Sequence, residues 1–124
     1  MSIVLILENC LLYQHLLVEI LEQNGFTCLT CQEVDDALNK IAYIRPDLII
    51  LEPLISDCRG LDFMSLLKRQ PMMRYIPILL ITAASHSTVK PLLDMQGGTV
   101  LYCSKPYDPN KVVPLAQKLI GPHQ

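Results

Sequence analysis

The sequence predicts an α/β domain in which a five-stranded parallel sheet carries helices on both faces. Apolar runs of strand length alternate with longer segments of helical period, which is how successive βα units read in a sequence. Polar residues stand where those apolar runs end: Glu8, Asn9, Glu52, Thr82 and Lys105. The strand ends of a parallel sheet meet at one carboxyl edge, where open α/β sheets place their chemistry. With 124 residues and 51% hydrophobic content, one domain can bury a full core without disulfides or metal. A single domain is expected over residues 1–120, with 121–124 as a tail or the start of a linker.

The first strand is Ile3-Val4-Leu5-Ile6-Leu7. A helix follows with Leu12, Leu16 and Ile20 on its inward stripe, stopped by Gly25, because glycine enters the left-handed conformation that ends helices. Phe26 to Cys31 reads as the second strand. The second helix has Asp35 and Asp36 near its positive end, turns Val34, Leu38 and Ile41 inward, and ends before Pro46, since a residue preceding proline avoids the α conformation. Leu48 to Leu51 is the third strand. Gly60 is expected to turn the chain into a helix carrying Met64 and Leu67, which stops near Pro71. Ile76 to Ile81 is the fourth buried strand, and Pro91 is expected in the first turn of a short fourth helix. Val100 to Cys103 is the fifth strand. Asp108 caps the last helix with Pro109 at its first position, where the missing N–H costs nothing, while Pro114 lies deeper and bends it.

Ten basic and twelve acidic side chains give a net charge of −2, and without a basic cluster direct nucleic-acid binding is not expected. The start, Met1-Ser2-Ile3, carries no basic leader and no apolar run approaches a membrane span, so a soluble, cytoplasmic domain is expected. Five scattered cysteines read as free, mostly buried thiols; in Cys28-Leu-Thr-Cys31 the strand period sends the two thiols to opposite faces, against a metal or redox role. His15 reads as helix surface, His86 as an exposed loop residue and His123 as tail, too isolated to form a catalytic set, and Cys10 and Cys58 as inert packing above the crevice. A flavin-type phosphate cradle is excluded by Leu7-Glu8-Asn9-Cys10, which brings a negative charge and no Ser/Thr/Gly run.

Taken together, these positions resemble the receiver domain of bacterial two-component response regulators from Ile3 to Ile120. Glu8-Asn9 follows the first strand, and Gly25 stands sixteen residues beyond Asn9. Arg45-Pro-Asp-Leu-Ile-Ile-Leu51 leads to position 52, and Gly60 comes eight residues later. Thr82-Ala83, Gly98, Tyr102 and Lys105-Pro106 complete the spacing. The resemblance implies the flavodoxin-like, doubly wound 2-1-3-4-5 sheet. It further implies a signalling role in a phosphorelay, not an enzyme, with an aspartate at position 52 accepting a phosphoryl group, acidic residues at 8 and 9 binding Mg²⁺, and Thr82, Tyr102 and Lys105 as switch and pocket residues. Protein partners follow from the same source: an effector domain, regulator or kinase, and a homodimer through the face of the fourth helix, fifth strand and fifth helix.

The chain departs from that pattern beside the chemistry. Glu52 replaces the aspartate and carries its carboxylate one methylene farther, and Asn9 replaces a metal-binding carboxylate with a neutral amide. A misplacement of about 1 Å can cost roughly a hundredfold in rate, and losing one anionic ligand weakens Mg²⁺. Ser56 stands where the family has proline, which predicts an altered loop. The expectation is a pseudo-receiver with phosphoryl acceptance lost or reduced, no required cofactor, and at most a weakened Mg²⁺ site at Glu8, Asn9 and Glu52. Glu52 is expected either to form a plain ion pair with Lys105 or to reach Lys105 and Thr82 and favour an activated-like Tyr102. The rival is a receiver still phosphorylated on Glu52 or on Asp57, the latter read as a loop acid.

Overall fold

Val4 to Leu7, Leu48 to Leu51 and Ile78 to Ile81 are apolar at every position and buried at every position, as strands covered on both faces must be. A computed structural model describes residues 2–121, apart from the side chains of 56–58. The order is β1 (Ile3–Leu7), α1 (Leu11–Glu22), β2 (Thr27–Cys31), α2 (Val34–Tyr43), β3 (Leu48–Leu51), α3 (Ile55–Arg69), β4 (Ile78–Thr82), α4 (His86–Leu93), β5 (Val100–Ser104) and α5 (Pro109–Ile120). All ladders are parallel, in the order β2-β1-β3-β4-β5.

Alternation along each strand builds two cores. Leu5, Leu7, Ile49, Leu51, Ile78 and Leu80 face α2, α3 and α4, where Phe63 and Met64 fill the centre. Val4, Ile6, Leu48, Ile50, Leu79 and Ile81 face α1 and α5. Each such side chain contributes about 1.5–3 kcal/mol on burial. Cys28 belongs to the second core and Cys31 to the first, so the CxxC pair does straddle the sheet. Burial pushes the Cys28 thiol up to about 12 and the Cys31 thiol up to about 11, which keeps both protonated and unreactive at neutral pH.

Several expectations need correction. Leu12 and Leu16 of α1 are exposed, and the inward stripe is Gln14, Leu17 and Leu21. The reason is polar: the Gln14 side-chain amide donates to the Glu8 carbonyl at 3.0 Å and reaches the Cys31 carbonyl at 3.5 Å, and a helix apolar on several sides turns to satisfy those groups. Gly60 lies inside α3, not at a turn before it. A Cβ there would stand 2.6 Å from the Pro53 Cα and carbonyl oxygen, so glycine permits α3 to pass under the loop after β3. Residue 57 is accordingly within α3, not in a loop; its side chain, with those of Ser56 and Cys58, lies outside the described residues, as does His123. β4 starts at Ile78 because Pro77 has no N–H to give the ladder. Pro91 is the sixth residue of α4, beyond its first turn, and His86 opens that helix. Cys10 is exposed. Asp108 caps α5 as expected, accepting the Asn110 N–H at 2.9 Å. Among the described residues no helix is long and apolar enough to cross a membrane.

Candidate functional site at the carboxyl edge of the sheet

The sheet's own hydrogen bonds carry three charged residues into one crevice. Each ladder runs one step past its strand: the Glu8 N–H donates to the Cys31 carbonyl at 3.0 Å, the Glu52 N–H to the Leu7 carbonyl at 3.0 Å, and the Lys105 N–H to the Thr82 carbonyl at 2.8 Å. Their backbones are fixed like those of strand residues, and their side chains meet in the crevice. Glu8 is 2% exposed, Glu52 8% and Thr82 0%, whereas Asn9 is exposed.

Lys105 Nζ lies 2.5 Å from Glu8 Oε1 and 3.1 Å from Glu52 Oε1. The second oxygen of each carboxylate is also engaged: Glu8 Oε2 accepts the Cys10 N–H at 3.0 Å and Glu52 Oε2 accepts the Leu54 N–H at 3.1 Å. Burial pulls the Lys105 pKa down, but the hydrogen bonds and charges of Glu8 and Glu52 outweigh it and hold the pKa above the ordinary lysine value. Charges this deep are tolerable because each has an opposite partner and hydrogen bonds.

The pairing of Glu52 with Lys105 is thus present, and Glu8 joins it. Mg²⁺ requires several oxygens directed at it in near-octahedral geometry. Here all four carboxylate oxygens of Glu8 and Glu52 are committed to Lys105 or backbone N–H groups. The donor set as arranged does not fit the ion.

Thr82 and Tyr102 form the opposite wall. Thr82 Oγ1 accepts the Ala84 N–H at 3.2 Å, and the Tyr102 hydroxyl donates to the Ala84 carbonyl at 2.8 Å. The Tyr102 ring is partly buried against the core and meets His86 edge-on, with 5.9 Å between centroids. Ala84 therefore anchors both residues. Thr82 is engaged with its own loop, in place of the expected contact with Glu52.

Two contributors escaped the sequence reading. The Tyr13 ring lies under Lys105 Nζ, 4.3 Å from its centroid, and Tyr107 packs against Tyr13 at 5.6 Å between centroids. Tyr13 follows Cys10 by one helical turn, and that spacing placed near the crevice was the available signal; contact with Lys105 was not readable from it.

Comparisons with known proteins agree with this architecture. Residues 4–117 match the family model of the response regulator receiver domain. The phosphate regulon transcriptional regulatory protein PhoB of Klebsiella pneumoniae is 32% identical over 110 residues, 89% of this chain and 48% of that protein. The chain thus spans about half the length of the phosphate regulon regulators that it matches. The polar-differentiation response regulator DivK of Brucella anthropi is 26% identical over 118 residues, 95% of each chain. The signal receiver domain of a histidine kinase from Syntrophus aciditrophicus superposes with a TM-score of 0.84 at 27% identity, over 97% of this chain and 90% of that one. The chemotaxis response regulator CheY4 of Vibrio cholerae shares the fold, with a TM-score of 0.85 at 23% identity over 96% and 98% of the two chains.

Proposed function

The chain belongs to the response regulator receiver domain family of two-component signalling, and from that premise we propose that it is a pseudo-receiver, which signals through protein contacts with phosphoryl acceptance lost or much reduced. The observation that carries this reading is the commitment of Glu52. One oxygen is paired with Lys105 and the other accepts the Leu54 N–H, so an attacking oxygen must first break a buried, charge-assisted bond. Glutamate also places that oxygen farther along than an aspartate would. The partners are a kinase, another regulator or an effector domain, reached without nucleic-acid contact or membrane insertion, in a cytoplasmic setting. The α4–β5–α5 face, which carries Tyr102, is the surface for such a partner or for a second copy.

A second reading concerns the resting state. Tyr102 is tied inward by its bond to the Ala84 carbonyl, which favours an activated-like output face without a kinase. Thr82 bonded to the Ala84 N–H limits this to half of the switch, and Glu52 then supports the wall only through Lys105.

Incubation with acetyl phosphate and Mg²⁺, followed by intact-mass measurement, tests the main reading. Wild type should stay unmodified, and Asn9→Asp combined with Glu52→Asp should gain a phosphate mass. A phosphate on wild type that vanishes in Glu52→Gln or Asp57→Ala would establish a working receiver instead.

A further inference from the structure

We propose that Lys105 is the resident cation of this crevice, caged by Glu8, Glu52 and the face of Tyr13, and that the caged ammonium excludes divalent ions from the site. The inference rests on the pseudo-receiver reading for its biological meaning, but its geometry is independent of phosphoryl chemistry. Three walls surround the ammonium: Glu8 Oε1 at 2.5 Å, Glu52 Oε1 at 3.1 Å and the Tyr13 ring at 4.3 Å. An aromatic face attracts a cation through its quadrupole, and more so when water is removed. It offers no oxygen ligand to a hard divalent ion. The third wall therefore suits an ammonium and not magnesium.

Tyr107 holds the Tyr13 ring in place. Burial, then Tyr13 and Glu8, push the Tyr107 phenol up to about 12, so it stays neutral and brings no competing charge. The outward oxygens of the two carboxylates are held by the Cys10 and Leu54 N–H groups, which prevents either group from swinging away to accept a metal. Net charge alone would admit a cation, so the exclusion rests on displacement from an occupied geometry. Two carboxylates and one ammonium sum to −1, and a doubly charged ion enters only if the ammonium, itself repelled by it, leaves two buried anions.

Mn²⁺ binding, measured by calorimetry and by the loss of its aqueous EPR signal, tests the proposal on the whole chain. Lys105→Met removes the internal cation and should bind Mn²⁺ at least about tenfold more tightly than wild type, as expected for two cations competing for one site. Tyr13→Leu should gain at least about threefold, the lower bound set by an exposed cation–π contact. In wild type, the NMR signal of the Lys105 ammonium should be protected from solvent and unmoved by millimolar Mg²⁺, a readout that stands even if Lys105→Met does not fold. Mn²⁺ affinity of wild type equal to that of a folded Lys105→Met, or an ammonium signal displaced by Mg²⁺, would overturn the proposal. The two readings fail separately: tight Mn²⁺ binding by wild type with no phosphate uptake removes the cage and keeps the pseudo-receiver, and phosphate uptake with the ammonium undisturbed does the reverse.

Discussion

The two walls of the crevice are held by different forces. The wall of Glu8, Glu52 and Lys105 is ionic, buried and saturated, with every carboxylate oxygen taken. The wall of Thr82, Ala84 and Tyr102 is neutral, and two hydrogen bonds to one alanine backbone hold it. A neutral hydrogen bond contributes about 0.5–1.5 kcal/mol net, whereas removing one partner of a buried ion pair costs about 3–5 kcal/mol because the other charge stays behind. The difference teaches that the ionic wall is the rigid side of the crevice, while the neutral wall of Thr82 and Tyr102 remains cheap to rearrange.

The comparison breaks most severely at Lys105. Lys105→Ala strands two buried carboxylates and should cost about 3–5 kcal/mol in urea unfolding; a loss under about 1 kcal/mol would mean that water already screens the ionic wall. Gly60→Ala comes next. Its new Cβ would press on Pro53, which follows Glu52 directly, and the overpacking should cost about 1–3 kcal/mol, with the Lys105 ammonium signal shifting in NMR. An unshifted signal would separate the loop after β3 from the ionic wall. Tyr102→Phe removes only the bond to the Ala84 carbonyl and should cost about 1 kcal/mol, leaving the Lys105 signal in place; coupling of the two would abolish the division into independent walls.

The smallest effect is in alkali. The folded pKa of Lys105 is raised, so its contribution is complete below the unfolded lysine value of about 10.4 and is lost as the pH rises through the folded value. Wild type should therefore lose stability more steeply than Lys105→Gln above that pH. Parallel alkaline limbs would assign the loss to tyrosines and thiols instead.

Most strands were legible because their apolar runs are short, bounded by polar or turn residues and doubly covered, as in Ile3–Leu7 and Leu48–Leu51. The inward face of α1 was not. Leu11, Leu12, Leu16, Leu17 and Leu21 leave more than one apolar stripe, and a buried glutamine chose among them by what its amide had to reach. Gly60 was legible as a position requiring glycine, but the cause was close approach to Pro53, which depends on how α3 crosses the loop. The same holds for Pro91, whose place in α4 followed from where Ser85 caps the helix by accepting the Thr88 N–H.

From its sequence alone this protein's βα order, the two-faced core and the gathering of Glu8, Glu52, Thr82 and Lys105 at one edge were determined, since apolar period and strand length are local properties of the chain. Tertiary structure decided that Lys105 is shared between Glu8 and Glu52, that Tyr13 closes over it, and that Ala84 anchors both Thr82 and Tyr102. Except for the local turn from Thr82 to Ala84, those are contacts between residues far apart in sequence, made over a few ångströms by side chains of several rotamers, and only packing selects among the partners within reach.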